Sequence, residues 1–278
     1  MPLFASLFSL LPVYFQHTLL AGLLIALISS ILGVFIVQRG LSFLGDGLAH
    51  TSFGGLALSW FLGFESALIA LAYSLISALA IVTLRRRSKL SADTSIGIFF
   101  AFSVALGALL ISISQKNLQI SLMETFFGSL FAIGASELKL LALLSFISLL
   151  FFIRYWSALA YSTFDEELAQ SDGIPVAALD YAFYAFAAII IVTSAKFVGV
   201  MLIAAHLVIP AATAKLISHS LFQMTLVAMV LALTATLAGL ATSFKADWPV
   251  GSSIVLMETL FFLIIVLAKM ILGLKKAT

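Results

Sequence analysis

The sequence predicts an all-α, polytopic transmembrane bundle of about eight or nine helices, formed by a single domain over residues 1–278. Three observations predict this fold class. The 278 residues are 63% hydrophobic with a mean hydropathy of +1.23, only 9% are charged, and uncharged windows of spanning length recur. Soluble proteins carry roughly 25% charged residues. This composition therefore excludes a soluble enzyme, a nucleic-acid-binding protein and a disordered tail.

Eight windows are each expected to cross the bilayer, because a spanning helix needs about 20 mostly apolar residues. They are Thr18–Val37, Ser66–Leu84, Thr94–Gln115, Leu140–Ile153, Tyr181–Ala195, Phe197–Ala214, Ser220–Phe244 and Pro249–Leu274. A ninth, polar-cored helix is expected over Leu41–Leu62. Residues 1–16 are expected to form a short interfacial segment, with a helix over Met1–Phe15.

The orientation follows from the basic residues, since Lys and Arg in short loops stay in the cytoplasm. Nine crossings place most of them on one side, and these are Arg39, Arg85, Arg86, Arg87, Lys89, Arg154, Lys215, Lys275 and Lys276. The C-terminus is then inside and the N-terminus outside. If Leu41–Leu62 is re-entrant, eight crossings remain and the N-terminus moves inside.

Asp46 and His50 interrupt the ninth segment and share one face of a helix, because they are four residues apart. The chain has no cysteine, and an imidazole with a carboxylate suits Zn²⁺, Mn²⁺ or Fe²⁺. Ionisable groups inside a membrane usually face the bundle interior or a water-filled path. The same spacing also fits a hydrogen-bonded pair that only fixes helix packing. The residues alone leave both interpretations open.

His206 and Glu258 are two further ionisable residues within predicted spans. Pro210 follows His206 by four residues, so a kink is expected there that frees the His206 carbonyl. His206 either lies on a transport path, as a possible metal ligand, or hydrogen-bonds a neighbouring helix. For Glu258 we expect a helix-packing contact, and the alternative is a carboxylate that relays protons or helps to hold a cation. Asp93 is expected to cap the helix that follows the basic loop, and Asp247-Trp248-Pro249 is expected to form an outer turn.

The longest polar stretch, residues 155–176, is expected to lie on the cytoplasmic side. Thr163 or Ser162 can cap a short acidic helix there, with Gly173 ending it and Pro175 preventing its continuation. Such an amphipathic helix suits docking of a soluble partner, and an ordinary solvated loop is the alternative.

Three sequence patterns are absent, and their absence argues against an enzyme. The chain has no G-x-x-x-x-G-K-[ST] phosphate loop, so any ATP that it depends on must be hydrolysed on another chain. It also lacks H-E-x-x-H and G-x-S-x-G, which weakens metalloprotease and serine hydrolase assignments.

Four segments resemble the zinc/manganese/iron permease family of bacterial ABC importers. Gln38–Gly55 carries the family pattern R-x-x-S-x-x-G-D-x-L-x-H, as Arg39, Ser42, Gly45, Asp46, Leu48 and His50. Ser91–Gly97, Thr163–Ile174 and Lys196–Ala214 resemble further family segments in the same order. Together they cover nearly the whole chain, from about Gln16 to Leu274.

The resemblance implies a homodimeric permease of the vitamin-B12-importer (type II) fold in the bacterial cytoplasmic (inner) membrane, in contact with lipid and not with nucleic acid. Two cytoplasmic ABC ATPase subunits would hydrolyse ATP, and an extracytoplasmic metal-binding protein would deliver the cation. The transported divalent metal would meet Asp46 and His50, while the family offers no role for His206. The ATPase-coupling residues would be Thr163, Phe164, Asp165, Glu166, Glu167, Leu168, Ala169 and Gly173.

The predicted function is therefore transport by alternating access, without enzymatic activity on this chain. His50 must be neutral to bind a metal, so transport is expected to fail at acidic pH. One alternative is a stand-alone proton-coupled transporter, which usually shows internal repeats. A less favoured alternative is an intramembrane metalloenzyme, which needs a third ligand and a general base.

Overall fold

A computed structural model describes residues 12–63, 67–88, 90–114 and 133–271, and this part of the chain contains ten α-helices and no strand. The helices are α1 (Val13–Gln38), α2 (Leu44–Phe61), α3 (Ala67–Arg87), α4 (Ala92–Ser114), α5 (Ala135–Phe164), α6 (Glu166–Ser171), α7 (Val176–Val198), α8 (Val200–Ile217), α9 (Leu221–Ala246) and α10 (Val250–Ile271). Helices suit a lipid environment because they satisfy backbone polar groups within one segment.

Eight of the described helices are long and apolar enough to cross a membrane, and they correspond to the eight predicted windows. In the most apolar 18-residue window of α1, 72% of the residues are buried, whereas in that of α10 the share is 11%. Helix α1 therefore lies at the centre of the bundle. Its Phe35 stacks on Phe152 of α5 at 5.7 Å and meets the edge of Trp156 at 5.3 Å between ring centroids.

Helix α2 is the ninth predicted helix, and its direction follows from contacts at its neighbours' ends. Arg39, at the end of α1, and Arg86, at the end of α3, both donate hydrogen bonds to Asp180 of α7. The C-terminal ends of α1 and α3 thus lie at the same end of the bundle, so α2 must run the full way back between them. This is the path that nine crossings require, and a re-entrant α2 does not fit it.

The predicted span Leu140–Ile153 was too short. Helix α5 has 30 residues, about 45 Å, whereas a hydrocarbon core is about 30 Å thick. Arg154 lies within α5 and not in a loop, so its placement in a loop was wrong. The side chain is exposed and its guanidinium lies 5.3 Å from the ring centroid of Tyr155. A long basic side chain tolerates such a position because its charged head can reach water.

The start of α1 differs from the expected interfacial segment. Residues 1–11 of that segment lie outside the described residues, but Val13 to Gln16 belong to α1. Pro12 precedes the first turn and its carbonyl accepts from the Phe15 amide at 2.9 Å. Phe15 also packs edge-on against Phe244 of α9 at 5.2 Å between centroids. Tertiary packing thus extends α1 beyond the predicted window.

The cap of α4 also differs from its prediction. The Thr94 amide donates to Ser91 Oγ at 3.1 Å, so Ser91 caps the helix and Asp93 lies in its first turn. There the Asp93 carboxylate still faces the positive end of the helix dipole. At the other end of the bundle, Asp247 takes a left-handed conformation with φ of 55° as the C-cap of α9. This residue forms the predicted turn with Trp248 before α10.

Helices α1 and α8 approach closely because Gly33 has no side chain. A Cβ atom at Gly33 would overlap the carbonyl oxygen of Leu207. Small residues allow such contacts between membrane helices.

We expect Gly33→Ala to lower the stability of the protein, because a backbone carbonyl cannot move aside as a flexible side chain can. Overpacking of this kind costs about 1–3 kcal/mol. The measurement is thermal unfolding in detergent. Gly97→Ala is the matched control, since no atom of the described residues lies within 4 Å of a Cβ at that position in α4. Equal unfolding temperatures for the two variants would contradict the contact.

Candidate functional site

Asp46 and His50 lie next to each other on one face of α2, as their spacing predicts. His50 Nε2 is 3.5 Å from Asp46 Oδ1, and the two side chains are 21% and 44% exposed. The imidazole meets the edge of Phe100 of α4 at 5.0 Å between centroids. Both side chains are therefore partly exposed at the surface of the single chain.

Glycines of α2 hold this helix close to its neighbours. A Cβ at Gly54 would lie 2.8 Å from the Ser103 carbonyl of α4, and one at Gly55 would lie 2.7 Å from Cα of Ala70 in α3. Thr51 donates to Ser74 of α3 at 3.3 Å. The backbone beneath Asp46 and His50 is thus fixed by close packing on α3 and α4.

The pair can supply two metal ligands from one chain. Structural and catalytic zinc sites use three or four protein ligands, and the described residues contain no group of three or more His, Asp or Glu side chains placed to hold a metal. The arrangement is therefore half of a usual site. The assignment of Asp46 and His50 as metal ligands stays a prediction.

His206 has different partners, in a buried polar cluster that joins three helices. Its Nδ1 is hydrogen-bonded to Oε1 of Glu258 in α10, and its Nε2 lies 3.3 Å from Thr236 Oγ1 of α9. His206 and Glu258 are 1% and 2% exposed. Among the described residues, Glu258 Oε2 has no hydrogen-bond partner.

This cluster faces away from α2. The side of α8 that contacts α2 carries Ala204 and Leu207, which meet Gly45, whereas His206 lies on the face toward α9 and α10. Both ring nitrogens of His206 are engaged there. The role of His206 as a metal ligand stays a prediction, and its observed contacts are those expected of a packing residue.

We expect Glu258→Ala to destabilise the protein by about 1–3 kcal/mol, because it leaves a buried imidazole without its partner. The double variant His206→Leu with Glu258→Met removes both polar groups and should recover most of that loss. Thermal unfolding measures both effects. A double variant that is as stable as the wild type but fails in transport would instead place His206 on the path.

A set of charged residues, called here the arginine cluster, lies at one end of the bundle. This is the end where α1, α3 and α5 finish and α7 begins. The arginine cluster consists of Arg39, Arg85, Arg86, Glu166 and Asp180. Asp180 lies at its centre with a side chain that is 4% exposed, and it accepts hydrogen bonds from Arg39 Nη1 and Arg86 Nη1, both at 2.8 Å. Burial lowers the pKa of Arg39 from its usual value, and the charge of Asp180 opposes this shift.

Asp180 was not among the predicted site residues. Arg39 was predicted as a marker of orientation and as the first residue of the family pattern, and Arg86 only as a marker of orientation. An acidic residue at the fifth position of an apolar helix was the one available signal, since such a charge needs a partner.

The short helix expected in residues 155–176 is present as α6, but its cap differs. Asp165 Oδ1 accepts from the Leu168 amide at 2.8 Å, so Asp165 is the cap, and Thr163 and Ser162 lie in the last turn of α5. Gly173 follows the helix with φ of +82°, a conformation that favours glycine.

On one side of α6 and of the last residue of α5, apolar side chains are exposed. Phe164 is 68% exposed and Leu168 is 51% exposed, next to the acidic Glu167. On the other side Ala169 is fully buried. An exposed apolar patch with an acidic rim is the kind of surface that binds another protein.

Comparison with known proteins places these features in a family. A model of the ABC 3 transport family matches residues 13–269. The manganese import system permease protein ScaB of Streptococcus parasanguinis is 32% identical over 251 residues, covering 90% of this chain and 89% of that protein. The high-affinity zinc uptake system membrane protein ZnuB of Haemophilus influenzae is 32% identical over 246 residues, covering 88% and 94%.

A solved structure is also similar to this chain. The complex described as PsaBC from Streptococcus pneumoniae in complex with Fab contains a chain with a TM-score of 0.78 and 31% sequence identity. The match covers 91% of this chain and 90% of that one. The similarity therefore extends over the helices that carry both the Asp46–His50 pair and the arginine cluster.

Proposed function

The chain belongs to the ABC 3 transport family, and from this premise we propose that it is the permease of an ATP-driven importer of a divalent metal ion, Zn²⁺, Mn²⁺ or Fe²⁺. The names of two relatives, a manganese import permease and a zinc uptake membrane protein, support the class of cargo. The observation that carries the proposal is the half-exposed Asp46–His50 pair on a helix within a membrane bundle.

The metal site is proposed to be completed by a second copy of the chain in the cytoplasmic membrane. Two copies of Asp46 and His50 supply two carboxylates and two imidazoles, which match the ligand types of these cations. Their partial exposure in one chain supports a position at the interface between copies. Such ligands replace the water around the ion while binding it weakly enough for release.

ATP is proposed to act through two cytoplasmic ATPase subunits that bind α6. ATP binding and hydrolysis there move α6, and the bundle alternates between an outward-open and an inward-open state. A metal-binding protein on the outer side delivers the ion. The open apolar face of Phe164 and Leu168 supports α6 as the contact with the ATPase.

The two rival functions have less support. A metalloenzyme needs a third ligand and a general base near Asp46, and the described residues contain no cluster of three such groups. A proton-coupled transporter would move metal without ATP. Family membership favours the ATP-driven importer over both.

We expect Asp46→Asn and His50→Gln each to reduce metal uptake by roughly tenfold or more, because the first removes the charge of the carboxylate and the second removes the imidazole, both at nearly constant volume. The measurement is uptake of Mn²⁺ and of Zn²⁺ into proteoliposomes that contain the permease, its ATPase and its binding protein, with ATP hydrolysis recorded in parallel. ATP hydrolysis should persist.

The control for this experiment is Ser52→Ala. Ser52 lies on the same helix, and within the described part of the chain it donates only to the Ala49 carbonyl of its own turn, so this variant should transport like the wild type. Normal uptake by both Asp46→Asn and His50→Gln would refute the metal site, and uptake without ATP would favour the proton-coupled alternative.

We expect Leu168→Asp to abolish co-purification of the ATPase, because it places a charge in the centre of the proposed apolar contact. Ala177→Asp adds the same charge at an exposed position in the first turn of α7 and should leave the complex intact. The measurement is the ratio of the two subunits after size-exclusion chromatography. An unchanged ratio for Leu168→Asp would show that the ATPase docks elsewhere.

A further inference from the structure

Asp180 joins elements that are far apart in the sequence. Its two carboxylate oxygens accept from Arg39 of α1 and Arg86 of α3, which are 141 and 94 residues away. A third arginine, Arg85, has its Nη1 3.8 Å from Asp180 Oδ2. Bonds between two charged groups are shorter and more directional than neutral ones. Asp180 therefore fixes the ends of α1 and α3 against the start of α7.

Arg39 extends this connection to the residues just before α6. Its Nε donates to Thr163 Oγ1 at 2.9 Å and its Nη2 donates to Ser162 Oγ at 3.1 Å. Both hydroxyls lie in the last turn of α5. The guanidinium also lies 4.8 Å from the ring centroid of Phe183. With Nη1 on Asp180, all three nitrogens of Arg39 are used, and the side chain is only 5% exposed.

Arg86 reaches α6 directly. Its Nη1 is 2.8 Å from Asp180 Oδ2 and 3.2 Å from Glu166 Oε1, so one nitrogen bridges α7 and the first residue of α6. The Glu166 side chain is 40% exposed. The arginine cluster thus connects α6 to the bundle by two routes, one through Glu166 and one through the end of α5.

Arg39 lies next to the helix that carries Asp46. Only five residues, 39–43, separate α1 from α2. Gly40 turns the chain with φ of +65°, the Leu41 amide donates to the Ile36 carbonyl at 2.9 Å, and the Leu44 amide donates to the Leu41 carbonyl at 2.8 Å. Leu41 and Leu44 are fully buried. A displacement of Arg39 is therefore passed to the first turns of α2.

We propose that Asp180 is a positioning residue for transport: through Arg39 and Arg86 it links movement of α6 to movement of the Asp46–His50 helix. This inference rests on the proposed function. When the ATPase is bound, α6, α7 and the start of α2 move as one body. They are joined by the contacts Glu166–Arg86–Asp180–Arg39 and by the contacts of Arg39 with Ser162 and Thr163. Without Asp180 the ATPase still moves α6, but α2 follows it less closely.

A role of Asp180 in stability alone predicts a different result. Buried ion pairs are weak contributors to net stability, because desolvation offsets their attraction. A stabilising role predicts that assembly, ATP hydrolysis and uptake fall together. A positioning role predicts a lower number of metal ions moved for each ATP hydrolysed.

The test compares the uptake of Mn²⁺ and of Zn²⁺ per ATP hydrolysed, using proteoliposomes that contain the full complex. The variants are Asp180→Asn, Glu166→Gln and, as the conservative replacement, Asp180→Glu. Mutations between two coupled sites change the coupling by about 0.5–2 kcal/mol, so the ratio should fall by roughly twofold to thirtyfold in Asp180→Asn. A smaller fall is expected for Glu166→Gln, because it weakens only the contact of Arg86 with α6, whereas Asp180→Asn weakens the pairs of Asp180 with both Arg39 and Arg86. Partial recovery is expected for Asp180→Glu.

The matched control is Glu137→Gln, which neutralises a carboxylate in an exposed ion pair with Lys196 at the opposite end of the bundle. Its ratio should equal that of the wild type. If Asp180→Asn does not assemble with the ATPase, the uptake per ATP of Glu166→Gln tests the linkage instead, because this variant leaves the buried pairs of Asp180 intact. Wild-type ratios in both variants would overturn the linkage, whereas a wild-type complex that takes up neither ion would overturn the proposed function itself.

Discussion

The hydrogen bonds that Arg39 and Arg86 donate to the buried carboxylate of Asp180 determine the arrangement of one whole end of the molecule. Removing one partner of a buried ion pair typically costs about 3–5 kcal/mol, because the remaining charge has no compensation. These contacts bring together the last turns of α1 and α3 with the start of α7. They also require α2 to run the full length of the bundle, so the topology of the polar helix depends on them.

Most of the fold was predictable because hydrocarbon accepts long uncharged helices and little else. The eight apolar windows are confirmed as helices, and the predicted all-α membrane permease fold and membership in a family of metal-importing ABC permeases are confirmed. The ends were less predictable. Apolar content does not mark where α5 stops, so Arg154 was placed outside it. Asp165 and Thr163 are both good caps by residue type, and only the backbone path decides between them.

The candidate site was predictable where it depends on local spacing and not where it depends on tertiary contact. The i to i+4 relation of Asp46 and His50 follows from helix geometry alone. Asp180 and Arg39 are 141 residues apart, and His206 and Glu258 are 52 residues apart. No periodicity in one sequence joins such positions, because the pairing arises only when the helices pack. The sequence indicated that these residues needed partners without indicating which ones.

The His206–Glu258 contact has a consequence for how the sequence can change over time. A replacement at either position alone leaves a buried polar atom without its partner, while replacement of both by apolar residues restores a simple packed interface. Chains that descend from a common ancestor should therefore carry either both polar residues or neither, and the intermediate combinations should be rare. Positions 206 and 258, in α8 and α10, should therefore change together.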